Sequence, residues 1–379
     1  MKKFLTILFL TGLLTTRIAA AENPAKTAGT GRAILGISDD QKEIVVTAVT
    51  ADGSAVHVEG CTVTELPSGE ETTLTATGPK VILKGAITEL DCYNNQLTSL
   101  DVQGLIVLQK LKCSDNQLTF LIVKGLPALQ ELRCSDCRLT VLTMQDLPAL
   151  QELYCYNNRL TSLNVQGLTA LEILCCFNNQ LTSLDLEGLT ALNILRCSEN
   201  QLISLDIHNL TALEDLYCAE NQLTSLDIKG LTALKELYCE NNQLTSLNLQ
   251  GLTALKRLDC YDNQFTSLNV QDLPNLWWLD CCKNRLTSLD VQGSTALHTL
   301  YCDGNQLKIK AFIRILNSLP NLDSEKPGKA YIYNGENASQ EGNVTDFSSS
   351  AELKAAFEAA KAKNWIFYKW NVAKKAEKI

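Results

Sequence analysis

A cysteine returns every 21 residues through the middle of the chain, and no other feature restricts the fold so tightly. It stands at Cys92, Cys113, Cys134, Cys155, Cys176, Cys197, Cys218, Cys239, Cys260, Cys281 and Cys302, with no slip in register. The same frame surrounds each one, and residues 216 to 236 show it well as L-Y-C-A-E-N-Q-L-T-S-L-D-I-K-G-L-T-A-L-K-E. Leu stands two residues before the cysteine in every repeat, from Leu90 to Leu300. A Leu-x-Cys alternation has period two and predicts a short strand with one buried face. No repeat can bury that face alone, so the repeats must stack into a parallel sheet with strands about 4.8 Å apart.

Three residues past the cysteine comes an Asn: Asn95, Asn116, Asn158, Asn179, Asn200, Asn221, Asn242, Asn263, Asn284 and Asn305, with Cys137 in its place in the third repeat. An amide side chain both donates and accepts, so a stacked Asn ladder can satisfy backbone groups where the chain leaves the strand. A Gly, Asn or Asp twelve residues past the cysteine, as at Gly104, Gly167 and Asn209, marks the return turn on the convex side. A period of 20 to 29 residues carrying L-x-L-x-x-N-x-L is the signature of a leucine-rich repeat. The predicted class is α/β: a leucine-rich repeat solenoid of about eleven repeats, with a parallel sheet on its concave face, a β-rich N-terminal cap and an α/β C-terminal cap.

The frame resembles the internalins, and within them the cysteine-ladder branch, which also carries 21-residue repeats with an inward strand cysteine. The resemblance covers residues 86 to about 308. It implies a curved solenoid used in surface adhesion or recognition, and with it a role in virulence. The sequence shows no wall-anchor motif of the LPxTG type and no immunoglobulin-like segment.

Four segments follow. Residues 1–21 read as a signal peptide, with Lys2 and Lys3, an apolar run from Phe4 to Thr16 and small residues Ala19 to Ala21 before Glu22. Residues 22–85 read as the N-terminal cap: a small-residue linker from Asn23 to Gly31, then β-rich runs at Glu43 to Thr50, Ala55 to Thr64, Glu71 to Thr77 and Lys80 to Gly85. Residues 86–308 are the repeats. Residues 309–379 form the C-terminal cap, with helices over Ala311 to Leu319 and Ser350 to Lys363, strands over Lys329 to Asn334 and Trp365 to Trp370, and a frayed charged tail from Ala373 to Ile379. This last segment resembles the C-terminal caps of Gram-negative cysteine-ladder repeat proteins.

Without residues 1–21 the chain carries 30 basic and 42 acidic residues, a net charge of −12. That balance argues against nucleic acid or anionic lipid as the main partner. Fifteen cysteines in an exported chain normally suggest disulfides. Ladder cysteines on parallel strands point the same way at about 4.8 Å, outside the convergent geometry a disulfide needs. They are read as buried free thiols. Cys175 and Cys282 fall on outward strand positions about 24 Å apart, each either a tolerated small residue or an accessible thiol for intermolecular pairing. Cys61 stands alone in the N-terminal cap.

Catalysis has little support. There are three histidines, His57, His208 and His298, and no nucleophile has an identifiable base in the frame. No cofactor site is read. Nine residues past the cysteine, Asp185, Asp206 and Asp227 share a column with Asn164, Asn248 and Asn269. Stacked carboxylates suit Ca²⁺, but the amides in the column favour turn capping, so no metal is assigned.

Three outward columns remain: three before, one before and one after the cysteine. They hold nine aromatics in 33 positions of a chain that is 6% aromatic. Exposed aromatics gather where proteins meet partners. The predicted binding residues are Tyr154, Tyr156, Phe177, Tyr217, Tyr238, Asp259, Tyr261, Trp278, Asp280 and Tyr301. Sugar rings stacking on these aromatics are one expectation, and a protein surface is the other. The function expected is that of an exported, monomeric, adhesin-like binding protein, at the cell surface, secreted or periplasmic. Its partner would be a protein or glycan on a host or bacterial surface. A scaffold without an external ligand is the alternative.

Overall fold

The computed structural model describes residues 31–335, 341–371 and 375–379, so the signal-peptide reading of residues 1–21 lies outside the described residues. The repeats stack as the period requires. Each contributes one strand of three to five residues, from Ile87–Asp91 to Thr299–Tyr301, to the concave sheet. Neighbouring strands run parallel with the 21-residue frame in register, so that Leu216 faces Leu237 and Tyr217 faces Tyr238. The ladder continues past the strand, where the Cys218 N–H donates to the Tyr238 carbonyl at 2.8 Å.

Seven apolar positions per repeat point inward. In the seventh, Leu216, Cys218, Leu223, Leu226, Ile228, Leu231 and Leu234 are all buried. Each such side chain contributes about 1.5–3 kcal/mol of transfer free energy on burial. The Asn ladder forms beside them. Asn221 Nδ2 lies 3.1–3.2 Å from the carbonyls of Cys197, Cys218 and Ala219, and its Oδ1 accepts from Leu202 N at 2.9 Å. One amide thus ties two repeats together. Cys137 keeps only a weak substitute, its Sγ 3.5 Å from the Cys113 carbonyl. The residue before each ladder Asn is left-handed, including Glu220 at φ 52° and Lys283 at φ 50°. The return turn is left-handed too, with Gly104 at φ 92° and Gly167 at φ 79°, where a Cβ would be strained.

Both ends of the solenoid run on into the flanking segments. At the first repeat, Glu43–Thr50 pairs antiparallel with Ile87–Asp91, and Thr72–Thr75 pairs with it in turn. The strands Arg32–Gly36, Val56–Glu59, Glu65–Leu66 and Lys80–Lys84 join a second sheet. That sheet continues through Ser99–Asp101, Phe120–Ile122 and Val141–Thr143 on the other face of the first repeats. The repeat pattern did not disclose these short convex strands. Asn95 closes its end of the ladder on the backbone of Val45, donating and accepting at 2.7 Å.

At the other end, Gly328–Asn334 and Trp365–Trp370 extend the concave sheet in parallel, beneath helices α1 (Ile309–Ser318) and α2 (Ala351–Ala362). Ser350 caps α2, its hydroxyl accepting from Leu353 N at 3.1 Å. Phe312, Leu316, Phe357 and Phe367 pack into the common core. Asn343, outside the repeat frame, serves as a further rung: it donates to the carbonyls of Cys302 and Ile332 and accepts from Leu307 N at 2.8 Å. The tail is not frayed where it is described. Ala376–Lys378 pairs antiparallel with Trp365–Trp370, and Ile379 N donates to Phe367 O at 2.9 Å. Paired backbone outweighs the tail's charge.

All fifteen cysteines are free thiols, and the eleven ladder members are fully buried. Burial drives the Cys218 thiol well above its ordinary range, so it stays protonated. No helix among the described residues is long and apolar enough to cross a membrane.

Candidate binding face

Strand alternation sets the outward columns side by side across the concave sheet, and neighbouring side chains lean on one another. In the middle column Arg196 lies 4.8 Å from the Tyr217 ring centroid. Tyr217 stacks on Tyr238 at 4.3 Å. Arg257, from the column beside it, lies between Tyr238 and Trp278, its guanidinium carbon 4.9 and 4.4 Å from the two centroids. Trp278 leans on Tyr301 at 5.2 Å, and Tyr301 stacks on Tyr331 at 4.2 Å. Tyr331 in turn meets Tyr368 at 5.0 Å and Trp370 at 5.2 Å. The result is one continuous stack from the sixth repeat into the C-terminal segment.

A smaller group lies N-terminal to it. Arg133 covers the Tyr154 ring at 4.4 Å, and Tyr156 stacks on Phe177 at 4.5 Å. Between the two groups Cys175 is only 3% exposed, so the accessible-thiol alternative does not hold for it. The strands bearing Tyr154 and Arg196 flank it in register. Cys282 is half-buried, and burial together with Asp280 keeps its thiol protonated.

The stacking decides what the face can offer. Ring faces inside the column already meet neighbouring rings or guanidinium groups. What remains outward is the rim of hydroxyls and carboxylates. Tyr217 and Tyr238 both donate their hydroxyls to Glu236 Oε2, at 3.0 and 3.2 Å. Tyr154 donates to Glu152 at 3.0 Å, and burial and that carboxylate push its phenol up to about 12. Tyr261 accepts from Asn241 Nδ2 at 3.3 Å.

Asp259 is 5% exposed and fully engaged: Oδ2 holds Arg257, and Oδ1 accepts from Trp278 Nε1 at 2.7 Å. Its carboxyl is still raised, because burial outweighs the arginine. Asp280 has a weaker set, with Oδ1 accepting from Cys282 N at 3.1 Å. Burial lifts Asp280 to about 7, with Asp259 and Asp303 adding to the shift. Glu240 rises to about 7 through burial and the nearby Asp259 and Asp280. Asp303 rises to about 6 through burial and Glu341, against a hydrogen bond from Trp370.

Eight of the ten residues predicted from sequence fall into these two groups, and Tyr261 and Asp280 stand beside the larger one. Arg257, Glu236, Glu240 and Asp303 were missed although they occupy the same outward columns. Tyr331, Tyr368 and Trp370 were missed because they lie outside the frame, although the alternation Tyr331-Ile332-Tyr333 was a visible signal. On the convex edge the Asp/Asn column caps turns, as Lys229 N donating to Asp227 Oδ1 at 3.0 Å and Gln250 N to Asn248 Oδ1 at 3.1 Å show.

Comparison with known proteins agrees with this geometry. A family profile described as leucine-rich repeats, two copies, matches residues 148–190, 211–251 and 232–275. The functional domain of InlJ from Listeria monocytogenes, described as including a cysteine ladder, is similar at 30% identity, with 68% of this chain and 51% of that one covered and a TM-score of 0.52. YopM from Yersinia enterocolitica is similar at 26% identity, with 65% and 56% covered and a TM-score of 0.53. YopM from Yersinia pestis, at 24% identity, 65% and 78% coverage and a TM-score of 0.51, shares the fold. The chain spans about half the length of the InlJ and Yersinia enterocolitica chains. No curated protein sequence matches.

Proposed function

We propose that this chain, an internalin-like leucine-rich repeat protein, is an exported binding protein that recognises a partner on a host or bacterial surface through its concave sheet. The observation that carries the reading is the stacked column from Arg196 to Trp370. A frame repeated almost without change holds outward positions that differ from repeat to repeat. Those positions are locked by neighbours before any partner arrives. A rigid aromatic face loses little side-chain entropy on binding. The signal-like residues 1–21 support export, and the internalin likeness supports an adhesive role. We read the face as a binding surface.

The test has two parts. Antibody or protease accessibility on intact cells separates a surface protein from an internal scaffold. Ala substitutions at Tyr238, Trp278 and Tyr301 are then compared with substitutions at the convex Lys229 and Gln250 for retention on target cells. Central anchors are expected to cost at least about 2 kcal/mol of binding each and the convex controls almost nothing. Equal effects on both faces would reject the concave assignment.

A further inference from the structure

We infer that the C-terminal half of the concave face is a subsite for lysine or arginine side chains of a partner polypeptide, with Asp280 and Asp303 as its acidic floor, driven to the ionised form by the arriving cation. The inference rests on the concave face being the binding surface and adds the chemistry of what it takes.

Charge is distributed unevenly along the face. The outward columns of repeats one to five hold Glu89, Asp91, Glu131 and Glu152 against Lys110, Lys112 and Arg133, close to balance. Those of repeats six to eleven hold Asp215, Glu236, Glu240, Asp259, Asp280 and Asp303 against Arg196 and Arg257 alone. Arg257 is consumed by Asp259, and Arg196 lies on Tyr217. No basic side chain is left for Asp280 within its own columns. Lys283 is near enough to Asp303 to lower it slightly.

A second observation is independent of the charge count. Asp303 is 5% exposed, and its Oδ1 has no hydrogen-bond partner among the described residues. The Oε2 of Glu240 is likewise buried and unpartnered. A buried carboxylate oxygen left without a donor costs free energy unless something supplies one. These carboxyls stand beside a stack whose ring faces are covered, so an arriving group meets phenol hydroxyls and acidic side chains, and a cation favours the ionised, accepting form of those side chains. A guanidinium or ammonium presents only donors and a full positive charge. The face already holds one such group, since Arg257 sits between two rings with a carboxylate at its nitrogens. Anionic polymers are repelled by the same carboxylates, and neutral glycans gain nothing from the charge.

The experiment uses the full chain and four probes: a lysine–serine peptide, an arginine–serine peptide, a glutamate–serine peptide and a neutral oligosaccharide. Binding is followed by calorimetry at low salt and at about 0.3 M salt. Both cationic peptides are expected to bind, to weaken with salt, and to bind about tenfold more weakly to Asp280→Asn/Asp303→Asn. The convex pair Asp185→Asn/Asp206→Asn should leave binding unchanged. The Asp→Asn changes are near-isosteric and remove buried charge, and each single variant is measured alongside the pair. Equal loss in the convex pair would mean diffuse attraction to an acidic protein and overturn the inference. So would salt-insensitive binding of the oligosaccharide with none of the peptides. If Trp278→Ala and Tyr301→Ala reduce cell retention while the Asp280/Asp303 variants do not, the cation subsite is wrong and the concave reading survives. If neither set matters, both fall.

Discussion

Arg257 and Asp259, two residues apart on one strand, form an ion pair enclosed by the aromatic stack. Arg257 Nε and Nη2 both reach Asp259 Oδ2 at 2.8 Å, and the guanidinium lies over the Trp278 ring. Asp259 is nearly inaccessible, so removing its cation leaves a buried charge. Arg257→Leu is expected to cost about 2–3 kcal/mol at neutral pH. Asp259 is already raised, so the cost should shrink at pH 5, where the orphaned carboxyl takes up a proton. Denaturant midpoints at the two pH values measure this, and an equal cost at both would mean that packing, not charge, holds Arg257.

The Asn ladder makes a sharper stability prediction. Asn221→Ala strips donors from three carbonyls and the acceptor from Leu202 N, all shielded from water. A loss of about 3 kcal/mol or more is expected. The converse change, Cys137→Asn, completes the one interrupted rung and should raise stability by about 1 kcal/mol. Thermal melts of the two variants decide it. A neutral Asn221→Ala would show that water replaces the amide.

The pH dependence of the fold itself has an uncommon sign. Asp280 and Glu240 are raised to about 7 and Asp303 to about 6. Folded, they hold protons that the unfolded chain has already lost above about pH 4. Their contribution to stability is therefore greatest below that point, falls as pH rises towards 7, and levels off beyond. Each group contributes on the order of 3 kcal/mol to the fall. Urea denaturation at pH 5 and pH 8 should show the wild-type chain weaker at pH 8. The difference should shrink in Glu240→Gln/Asp280→Asn. A wild-type chain more stable at pH 8 would mean that these carboxyls are hydrated.

The ladder cysteines are expected to behave as small hydrophobes. Cys218→Ser places a hydroxyl in an apolar site at a cost of about 1–3 kcal/mol, and Cys218→Ala should cost similar or less. Thiol counting in denaturant without reductant should find most of the fifteen cysteines reactive. Near-complete oxidation would contradict the stacked geometry.

The repeat architecture was legible because one period carries all of it. Leu216, Cys218 and Leu234 are inward for reasons that a 21-residue frame states outright, and the outward columns follow by alternation. The frame does not state which outward side chains lean on the next strand. Arg257 did not stand out because its sandwich comes from Tyr238 and Trp278, 19 and 21 residues away on the neighbouring strands. Cys175 was left between a tolerated small residue and an accessible thiol because its cover also lies on neighbouring strands. Tyr331 and Trp370 fall after the period ends, where only the observed parallel pairing gives their register with Tyr301.

The C-terminal segment supplies the last prediction. Strand Gly328–Asn334 covers Thr299–Tyr301, and Asn343 satisfies Leu307 N and the Cys302 carbonyl. We propose that residues 309–379 act as a cap. Truncation after Lys308 removes that strand, the last Asn rung and the aromatic packing around Phe312. It leaves an apolar sheet edge open to pairing with another chain. Aggregation, or loss of a single cooperative unfolding transition, is the expected result. The milder Asn343→Ala should weaken the last repeat by about 2–3 kcal/mol while keeping the chain monomeric. Light scattering and melting curves of both variants provide the test. A monomeric truncation with an unchanged melting profile would make residues 309–379 an independent unit, and the continuity of the aromatic stack into Trp370 would then have no structural role.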